Sequence, residues 1–171
     1  MTSSGVKIGV ISDTHGNVAT FKKAVRWLVK QNIKYILHAG DIGSPESLKE
    51  SLKGFKGEFF GVFGNMDKDF KKEVKEYNFD TNIKVFENTA EIEVDGKKIA
   101  INHFPSEAKK LAQSGKYNVV FYGHTHRPWD EKINNTHIIN PGELAGQFYK
   151  PTFAVYDTDN GALELKILEK I

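Results

Sequence analysis

The stretch that decides the fold is GVISDTHGN, residues 9–17. It joins a short β-rich run, which ends at Asp13, to an amphipathic run over residues 17–32. The apolar residues of the second run recur at helical spacing, and Asn17 is the N-cap that we expect for it. A strand that passes through a polar loop directly into a helix is the first half of a βαβ unit.

The same alternation of strand and helix occurs twice more, over residues 35–52 and 58–77. The strand YILHAG ends at Asp41, and the helix SPESLKESL follows with Ser44 as its N-cap and a proline at its first position. The strand EFFGVFG ends at Asn65, and KDFKKEVKEY follows with its apolar residues on one helical face. The first half therefore predicts parallel strands joined by helices.

The second half is richer in strands. Asp95-Gly96 lies between two alternating runs in AEIEVDGKKIAIN and is typical of a hairpin turn. A short helix is expected over residues 105–115, and NVVFYG is a further strand. We interpret EKINNTHIIN as one strand and residues 152–169 as a hairpin that turns at Asn160-Gly161. With no linker or repeat, the pattern predicts a single mixed α/β domain with two sheets.

Composition excludes several classes of protein. The 171 residues include no cysteine, so thiolate nucleophiles and thiolate zinc sites are excluded. The net charge is +2 and no run of five or six like charges is present, so nucleic acid is not an expected partner. No apolar stretch reaches the ~20 residues that a membrane-spanning helix needs, and the N-terminus lacks the pattern of a signal peptide. We expect a soluble, cytoplasmic protein with no membrane partner.

Seven polar residues lie at or just beyond the carboxyl ends of predicted strands, the edge where ligands bind in open α/β sheets. In the motifs DTH and GHTH, a second site residue follows the first by two positions. Side chains at i and i+2 of an extended segment point the same way, so each pair can reach one point. The seven are Asp13, His15, Asp41, Asn65, His103, His124 and His126. Imidazole, carboxylate and amide donors without sulfur suit manganese, iron, nickel or zinc.

Seven donors exceed the needs of one ion. A carboxylate that bridges two ions would give a two-metal centre, with ions ~3.5–4 Å apart. A lone aspartate at a strand end is more often a helix cap, and a lone histidine is more often structural. The ordered combination of DTH, GD, GN and GHTH instead favours a metal site. His38 and His137 fall outside the pattern; we expect the first in the core and the second in a structural or surface position.

The blocks GVISDTHGN, HAGDI, FGNMD, INHFP, FYGHTHRP and INPGE resemble, in order, those of the calcineurin-like metallophosphoesterase superfamily. The short chain is similar to the small archaeal and bacterial phosphodiesterase branch, to which the retromer subunit of the same fold is related. The resemblance implies one metallophosphoesterase domain over residues 1–171. It also implies a four-layer αββα sandwich of two mixed β-sheets flanked by helices.

The resemblance further assigns roles to the seven residues. Asp13, His15 and His126 would hold one ion, and Asn65, His103 and His124 would hold the other. Asp41 would bridge the two. The expected cofactor is a pair of divalent ions, with manganese first and nickel, iron or zinc as alternatives.

Two positions depart from the superfamily pattern. Met66 stands where many phosphomonoesterases have the histidine that serves as general acid, and a thioether has no proton to give. Phe104 and Pro105 replace the residues that more often follow His103. We expect Asp67, the acidic residue beside Met66, either to cap the following helix or to orient a ligand.

These features predict a metal-dependent phosphodiesterase that hydrolyses a small phosphoester. A hydroxide bridging two ions would attack phosphorus in line, and Asn65 and His103 would stabilise the phosphoryl oxygens. The substrate-binding residues are not indicated by any motif. The alternative is a non-catalytic scaffold of the same fold that binds protein partners. A nuclease subunit and a single-metal hydrolase of carbonyl substrates are weaker interpretations.

Overall fold

The computed structural model describes residues 5–74 and 77–171. Its first half alternates strands and helices: β1 Lys7–Ile11, α1 Val18–Lys30, β2 Tyr35–His38, α2 Pro45–Ser51, β3 Glu58–Val62, α3 Lys68–Glu73 and β4 Ile83–Phe86. Its second half has one α-helix and a short 3₁₀ turn among seven strands: β5 Thr89–Val94, β6 Lys97–Asn102, α4 Pro105–Gln113, β7 Val119–Phe121, β8 Trp129–Ile133, β9 Thr136–Asn140, β10 Thr152–Asp157, β11 Leu163–Ile167 and the turn Leu168–Lys170.

The strands form two mixed sheets. The first has the order β11-β10-β1-β2-β3-β4, with β1 to β4 parallel and β10 and β11 antiparallel. The second has the order β5-β6-β7-β9-β8, in which β6, β7 and β9 are parallel and the two edge strands are antiparallel. The residues that carry the predicted site follow parallel strands in both sheets.

Three apolar clusters separate four layers. Phe21 and Leu28 of α1 pack with Phe59 and Phe153 of the first sheet. Between the sheets, residues such as Val10, Leu37, Ile101 and Phe121 form a second cluster. The third cluster joins the alanines of α4 to the outer face of the second sheet. The four-layer αββα sandwich is therefore confirmed.

The expected helix starts are also confirmed. Oδ1 of Asn17 accepts a hydrogen bond from the backbone N–H of Thr20 at 3.3 Å. Oγ of Ser44 accepts from the N–H of Ser47 at 3.1 Å, and Oγ of Ser47 accepts from the N–H of Ser44 at 3.0 Å. These bonds satisfy backbone donors that have no partner within the helix.

Three expectations about elements need correction. Residues 131–140 are not one strand but parts of the β8–β9 hairpin, because Asn134, at φ 53°, turns the chain. Strand β4 had not been predicted. The helix expected over residues 68–77 ends at Glu73; Lys75 and Glu76 lie outside the described residues. Within the described residues, every helix is too short or too polar to cross a membrane.

Candidate metal centre

All seven predicted site residues come together at one edge of the sandwich. Asp13, Asp41 and Asn65 follow β1, β2 and β3 of the first sheet. From the second sheet, His103 follows β6 and His124 follows β7. The remaining two, His15 and His126, lie in the same loops as Asp13 and His124. Nitrogen and oxygen atoms of all seven meet within a few ångströms, as the distances below show.

One group of donors surrounds a carboxylate oxygen of Asp13. Nε2 of His126 lies 3.4 Å from Oδ1 of Asp13, and Nε2 of His15 lies 3.8 Å from it. The two Nε2 atoms are 3.4 Å apart, and their rings are stacked. These three side chains form a group with the spacing that a metal ion requires.

A second group surrounds the amide oxygen of Asn65. Oδ1 of Asn65 lies 2.9 Å from Nε2 of His103 and 3.0 Å from Nδ1 of His124. The two imidazole nitrogens are 3.3 Å apart. Nδ1 of His103 lies 2.8 Å from the carbonyl oxygen of Ala39, so it carries a proton and donates there. The unprotonated Nε2 of His103 and Oδ1 of Asn65 therefore both present lone pairs to each other. Two such atoms this close need a proton or a cation between them.

Asp41 stands between the two groups. Its Oδ2 lies 3.8 Å from Nε2 of His15 and 3.4 Å from Nε2 of His103. Donors bound to one ion at about 2.0–2.2 Å are themselves about 3–3.5 Å apart, which is close to the separations seen here. Oδ1 of Asp13 is buried and has no hydrogen-bond partner among the described residues. The donor set therefore fits divalent cations, and the assignment of each residue as a ligand stays a prediction.

The expected extended geometry of the DTH and GHTH motifs is wrong. The site residues in these loops adopt left-handed backbone angles, a region that costs non-glycine residues free energy. The φ values are 51° for Asp13, 45° for His15, 55° for Asp41, 70° for His124 and 61° for His126. The side chains converge because the backbone turns sharply at each one.

Two glycines allow the loops to approach the carboxylates. A Cβ at Gly64 would lie 2.1 Å from Oδ1 of Asp41, and a Cβ at Gly123 would lie 2.0 Å from Oγ of Ser12. Both separations are far too short for atoms that are not bonded to each other, so only glycine fits these positions.

Hydrogen bonds hold the two carboxylates in place. Oδ2 of Asp13 accepts from Oγ of Ser12 at 2.5 Å and from the N–H of His124 at 3.1 Å. Oδ1 of Asp41 accepts from the N–H of Met66 at 2.8 Å. Burial raises the pKa of Asp13 above its ordinary value. Burial also acts on Asp41, but the hydrogen bond and charge of His103 outweigh it and lower the pKa of Asp41.

Asp67 does not cap α3. Although it occupies the N-cap position, its side chain makes no capping hydrogen bond. Its carboxylate instead accepts from the N–H groups of Ile42 at 3.1 Å, Gly43 at 2.9 Å and Gly64 at 2.8 Å. Asp67 therefore ties the loop after β2 to the loop after β3, which supports the expectation that it orients a ligand.

Apolar atoms lie beside the cluster at the two positions that depart from the superfamily pattern. The side chain of Met66 is 66% exposed. The ring of Phe104 is 38% exposed, with its centroid 5.1 Å from that of His103 and 5.2 Å from that of His124. No proton donor stands at residue 66.

Two supporting residues were missed from the sequence. Oε2 of Glu143 lies 2.9 Å from Nδ1 of His126. The amide of Asn140 donates to the carbonyl oxygen of Gly123 and to Oγ1 of Thr125, both at 3.0 Å, and so braces the loop that carries the two histidines. Both belong to INPGE, one of the sequence blocks that resemble the superfamily. The block could have marked these two residues as candidates, but it does not show that their partners lie 15–17 residues away in the sequence.

The two remaining histidines lie outside the cluster. His38 is fully buried between the rings of Phe21 and Phe59, as expected of a core residue. His137, on β9, pairs with Asp130 across the β8–β9 hairpin and contacts the ring of Tyr156. Neither contributes to the donor groups described above.

The fold agrees with similarity to known proteins. The model of the calcineurin-like phosphoesterase superfamily domain matches residues 6–161. The chain belongs to that superfamily. A phosphodiesterase of Methanocaldococcus jannaschii is 31% identical, over 96% of this chain and 100% of that protein. A probable metallophosphoesterase of Methanothermobacter thermautotrophicus is 26% identical, over 94% of this chain and 91% of that protein.

Solved structures place the calcineurin-like domain among both enzymes and sorting proteins. An archaeal phosphodiesterase superposes with a TM-score of 0.79 at 29% identity, covering 95% of this chain and 99% of that one. Vacuolar protein sorting 29 of Cryptosporidium parvum superposes with a TM-score of 0.68 at 20% identity, covering 96% and 97%. The second likeness shows the shared fold alone.

Proposed function

We propose that this single-domain chain is a metal-dependent phosphodiesterase that uses two divalent ions. The observation that carries the proposal is the position of Asp41, whose Oδ2 faces His15 of one donor group and His103 of the other. A shared carboxylate between two donor groups is the arrangement that a two-metal site requires. The phosphodiesterases among its relatives support the same reaction.

Each residue of the cluster has a proposed task. Asp13, His15 and His126 would hold one ion, and Asn65, His103 and His124 the other, with Asp41 in common. Two such ions, manganese first among the candidates, supply an activated water for in-line attack at phosphorus and positive charge for the phosphoryl oxygens. Asn65 also keeps an amide group near those oxygens, and His103 stays fixed by its bond to Ala39.

Residue 66, the usual general-acid position, carries no proton donor. Protonation of a leaving group by a positioned acid typically contributes about 10²–10⁴-fold, and the thioether of Met66 contributes none of it. Esters with acidic leaving groups, such as aryl phosphodiesters, do not need this proton. We therefore expect the aryl diester to be the better substrate and the alkyl monoester to be a poor one.

A protein-binding scaffold remains the second candidate, because large apolar side chains are exposed near the cluster. The ring of Phe148 is 74% exposed and lies with its centroid 5.0 Å from that of His126. Tyr149 and Met66 add further exposed apolar surface. Such side chains are enriched where proteins bind one another.

The test compares esters and metals. Purified protein is stripped of metal, reloaded with Mn²⁺, Ni²⁺ or Zn²⁺, and assayed with an aryl phosphomonoester and the matching bis-aryl phosphodiester. We expect hydrolysis of the diester and its loss in Asp41→Asn, with wild-type activity in the control Asp159→Asn in the exposed turn between β10 and β11. If the pure, loaded protein hydrolyses no aryl diester with any of these ions, the phosphodiesterase proposal is wrong and the scaffold is favoured.

Metal stoichiometry gives an independent readout. Equilibrium dialysis of the stripped protein should give two ions per chain for wild type. His126→Ala should reduce binding to one ion, because it removes a donor from one group only. A single ion in wild type would contradict the two-metal proposal even if hydrolysis is observed.

A further inference from the structure

A groove of about 360 Å³ opens on the surface formed by β8, the start of α4 and the loop after β7. We name it the β8 groove; it is lined by Lys109, Tyr122, Thr125, Arg127, Trp129 and Tyr149, with Pro105 and Glu131 beside them. Its volume is at the lower end of the range for small-molecule pockets. The groove contains none of the seven candidate ligands.

The β8 groove begins where the metal cluster ends. Thr125 lies between His124 and His126 in the chain. On the other sides, Pro105 follows Phe104 and Tyr149 follows Phe148, and both phenyl rings contact candidate ligands. A substrate with its phosphorus at the cluster would therefore extend one substituent into the groove.

The groove presents aromatic surface to solvent. Trp129 is 48% exposed and Tyr149 is 51% exposed, although large aromatic side chains are usually covered. Exposed rings of this kind are the platforms on which nucleobases stack. Neither ring takes part in the apolar clusters that hold the four layers together.

Polar groups line the same groove. Arg127 and Lys109 are exposed cations that form none of the ion pairs found among the described residues. Glu131 supplies an acceptor, and its charge together with burial raises the pKa of Tyr122 to about 12, so that the phenol stays a neutral donor. The groove therefore offers aromatic rings, cations, a hydrogen-bond donor and an acceptor. A planar ring that has donor and acceptor edges and carries a phosphate matches these groups better than a plain hydrocarbon ring does.

We infer that the β8 groove binds the nucleoside substituent of a phosphodiester substrate, with the base against Trp129 or Tyr149 and Arg127 toward the phosphate. The inference rests on the proposed phosphodiesterase function and narrows its substrate class. The substrate would be a small nucleotide diester, which is consistent with a net charge of only +2.

The first arm of the test is kinetic. The loaded enzyme is given the nitrophenyl phosphodiester of thymidine and ethyl nitrophenyl phosphate, which share a leaving group and differ in the other substituent. We expect wild type to prefer the thymidine diester in kcat/KM. Trp129→Ala should reduce the ratio of the two kcat/KM values by about 5- to 100-fold, the range of base stacking. Arg127→Ala should lower kcat/KM for both esters and keep the ratio, because both carry the phosphate. The matched controls Leu165→Ala, an exposed apolar residue on β11, and Arg26→Ala, on α1, should keep the wild-type kcat/KM for both esters.

The second arm measures binding without turnover. The chain has two tryptophans, so Trp27→Phe leaves Trp129 as the only indole reporter. Thymidine monophosphate should quench its fluorescence saturably, and inorganic phosphate should not. Adding Arg127→Ala should weaken this binding about tenfold, whereas adding Arg26→Ala should not.

The two arms separate the two proposals. If ethyl nitrophenyl phosphate is hydrolysed but Trp129→Ala does not change the substrate ratio and no quenching occurs, the groove inference is overturned and the phosphodiesterase stands. If no ester is hydrolysed but quenching is saturable and needs Arg127, the phosphodiesterase proposal is overturned, and the β8 groove is a nucleotide-binding site that does not serve a phosphodiester substrate. Thermal unfolding of each variant excludes loss of the fold as the cause.

Discussion

Glu143 accepts a hydrogen bond from Nδ1 of His126 at 2.9 Å, which leaves Nε2 of that imidazole as the nitrogen that faces Asp13. The same carboxylate accepts the backbone N–H groups of residues 147–149 at 2.5–3.0 Å. One fully buried side chain therefore fixes both a candidate metal ligand and the loop that places Phe148 against it. Partners of this kind set the tautomer and direction of a ligating histidine.

Glu143→Gln should weaken metal binding while keeping the size of the side chain. Four N–H donors converge on this carboxylate, and an amide must turn its own donors toward some of them. Loss of such a partner typically costs about 10–100-fold in metal affinity. The affinity for Zn²⁺ or Mn²⁺ can be measured by competition with a chelator. Glu93→Gln, an exposed position on β5, is the control, and equal affinities in the two variants would refute a positioning role.

Asp67→Asn should destabilise the junction between the loops after β2 and β3. The three backbone donors that it binds are largely buried, and leaving one without an acceptor costs about 1–3 kcal/mol. We expect a reduced free energy of unfolding in urea and a lower metal affinity, because Asp41 lies in one of these loops.

The control for this change is Asp69→Asn, at an exposed residue of α3 whose carboxylate pairs with the exposed Lys72. It should change the free energy of unfolding by less than about 0.5 kcal/mol. If both variants lose the same stability, the three hydrogen bonds of Asp67 do not act as described.

Met66→His should shift activity toward phosphomonoesters. The side chain at this position is exposed beside the cluster, and the N–H of the same residue is already bonded to Asp41. An imidazole here could protonate a leaving group, which is a contribution of at most about 10²–10⁴-fold. We expect the kcat/KM ratio of an alkyl phosphomonoester to an aryl phosphodiester to rise by at least tenfold, because only the alkyl leaving group needs the proton. Met66→Gln, which has a polar side chain but no titratable group, should leave the ratio unchanged.

Local patterns in the sequence predicted the parts of the fold that depend on neighbours in the chain. Asn17 and Ser44 act through residues three positions away, so both helix caps were found. The position of the cluster at one edge of the sheets was also predictable, because parallel strands bring their carboxyl ends together. Strand β4 was missed because its short run, Ile83–Phe86, is only half-buried and shows no clear alternation.

The rest of the site depends on tertiary contacts that no local pattern carries. No local pattern assigned a role to Glu143 or decided between the two roles expected of Asp67, and their partners became clear only once separate loops met. The left-handed angles at Asp13 and His124 could not be inferred either, because non-glycine residues enter this region only where surrounding contacts impose it. The sequence indicated which residues converge, but not how.

His38 should make the metal-free protein less stable in mild acid. Complete burial lowers the pKa of His38 to about 3 from an ordinary value of 6.5. Nδ1 accepts the N–H of Gly40 at 3.2 Å, so Nε2 donates to Oγ1 of Thr14, which donates in turn to the carbonyl oxygen of Ile42. A proton on Nδ1 would oppose the Gly40 donor, which gives the low pKa a structural cause as well.

The direction of this pH dependence follows from the number of protons that His38 binds in the folded and in the unfolded chain. Between about pH 6.5 and 3 the unfolded chain binds a proton that the folded chain does not, so the stability present above pH 6.5 is lost as the pH falls. The contribution approaches about 1.4 kcal/mol per pH unit well below 6.5. Urea unfolding of metal-stripped protein between pH 7 and 4.5 measures this contribution.

His38→Gln and His38→Phe should both reduce the slope of the unfolding free energy against pH by the equivalent of about one proton. The two variants should differ in absolute stability, because only glutamine can still bond to Thr14. An unchanged slope in both variants would mean that His38 takes up no additional proton on unfolding, which would contradict both the lowered pKa and a neutral ring that accepts from Gly40 and donates to Thr14.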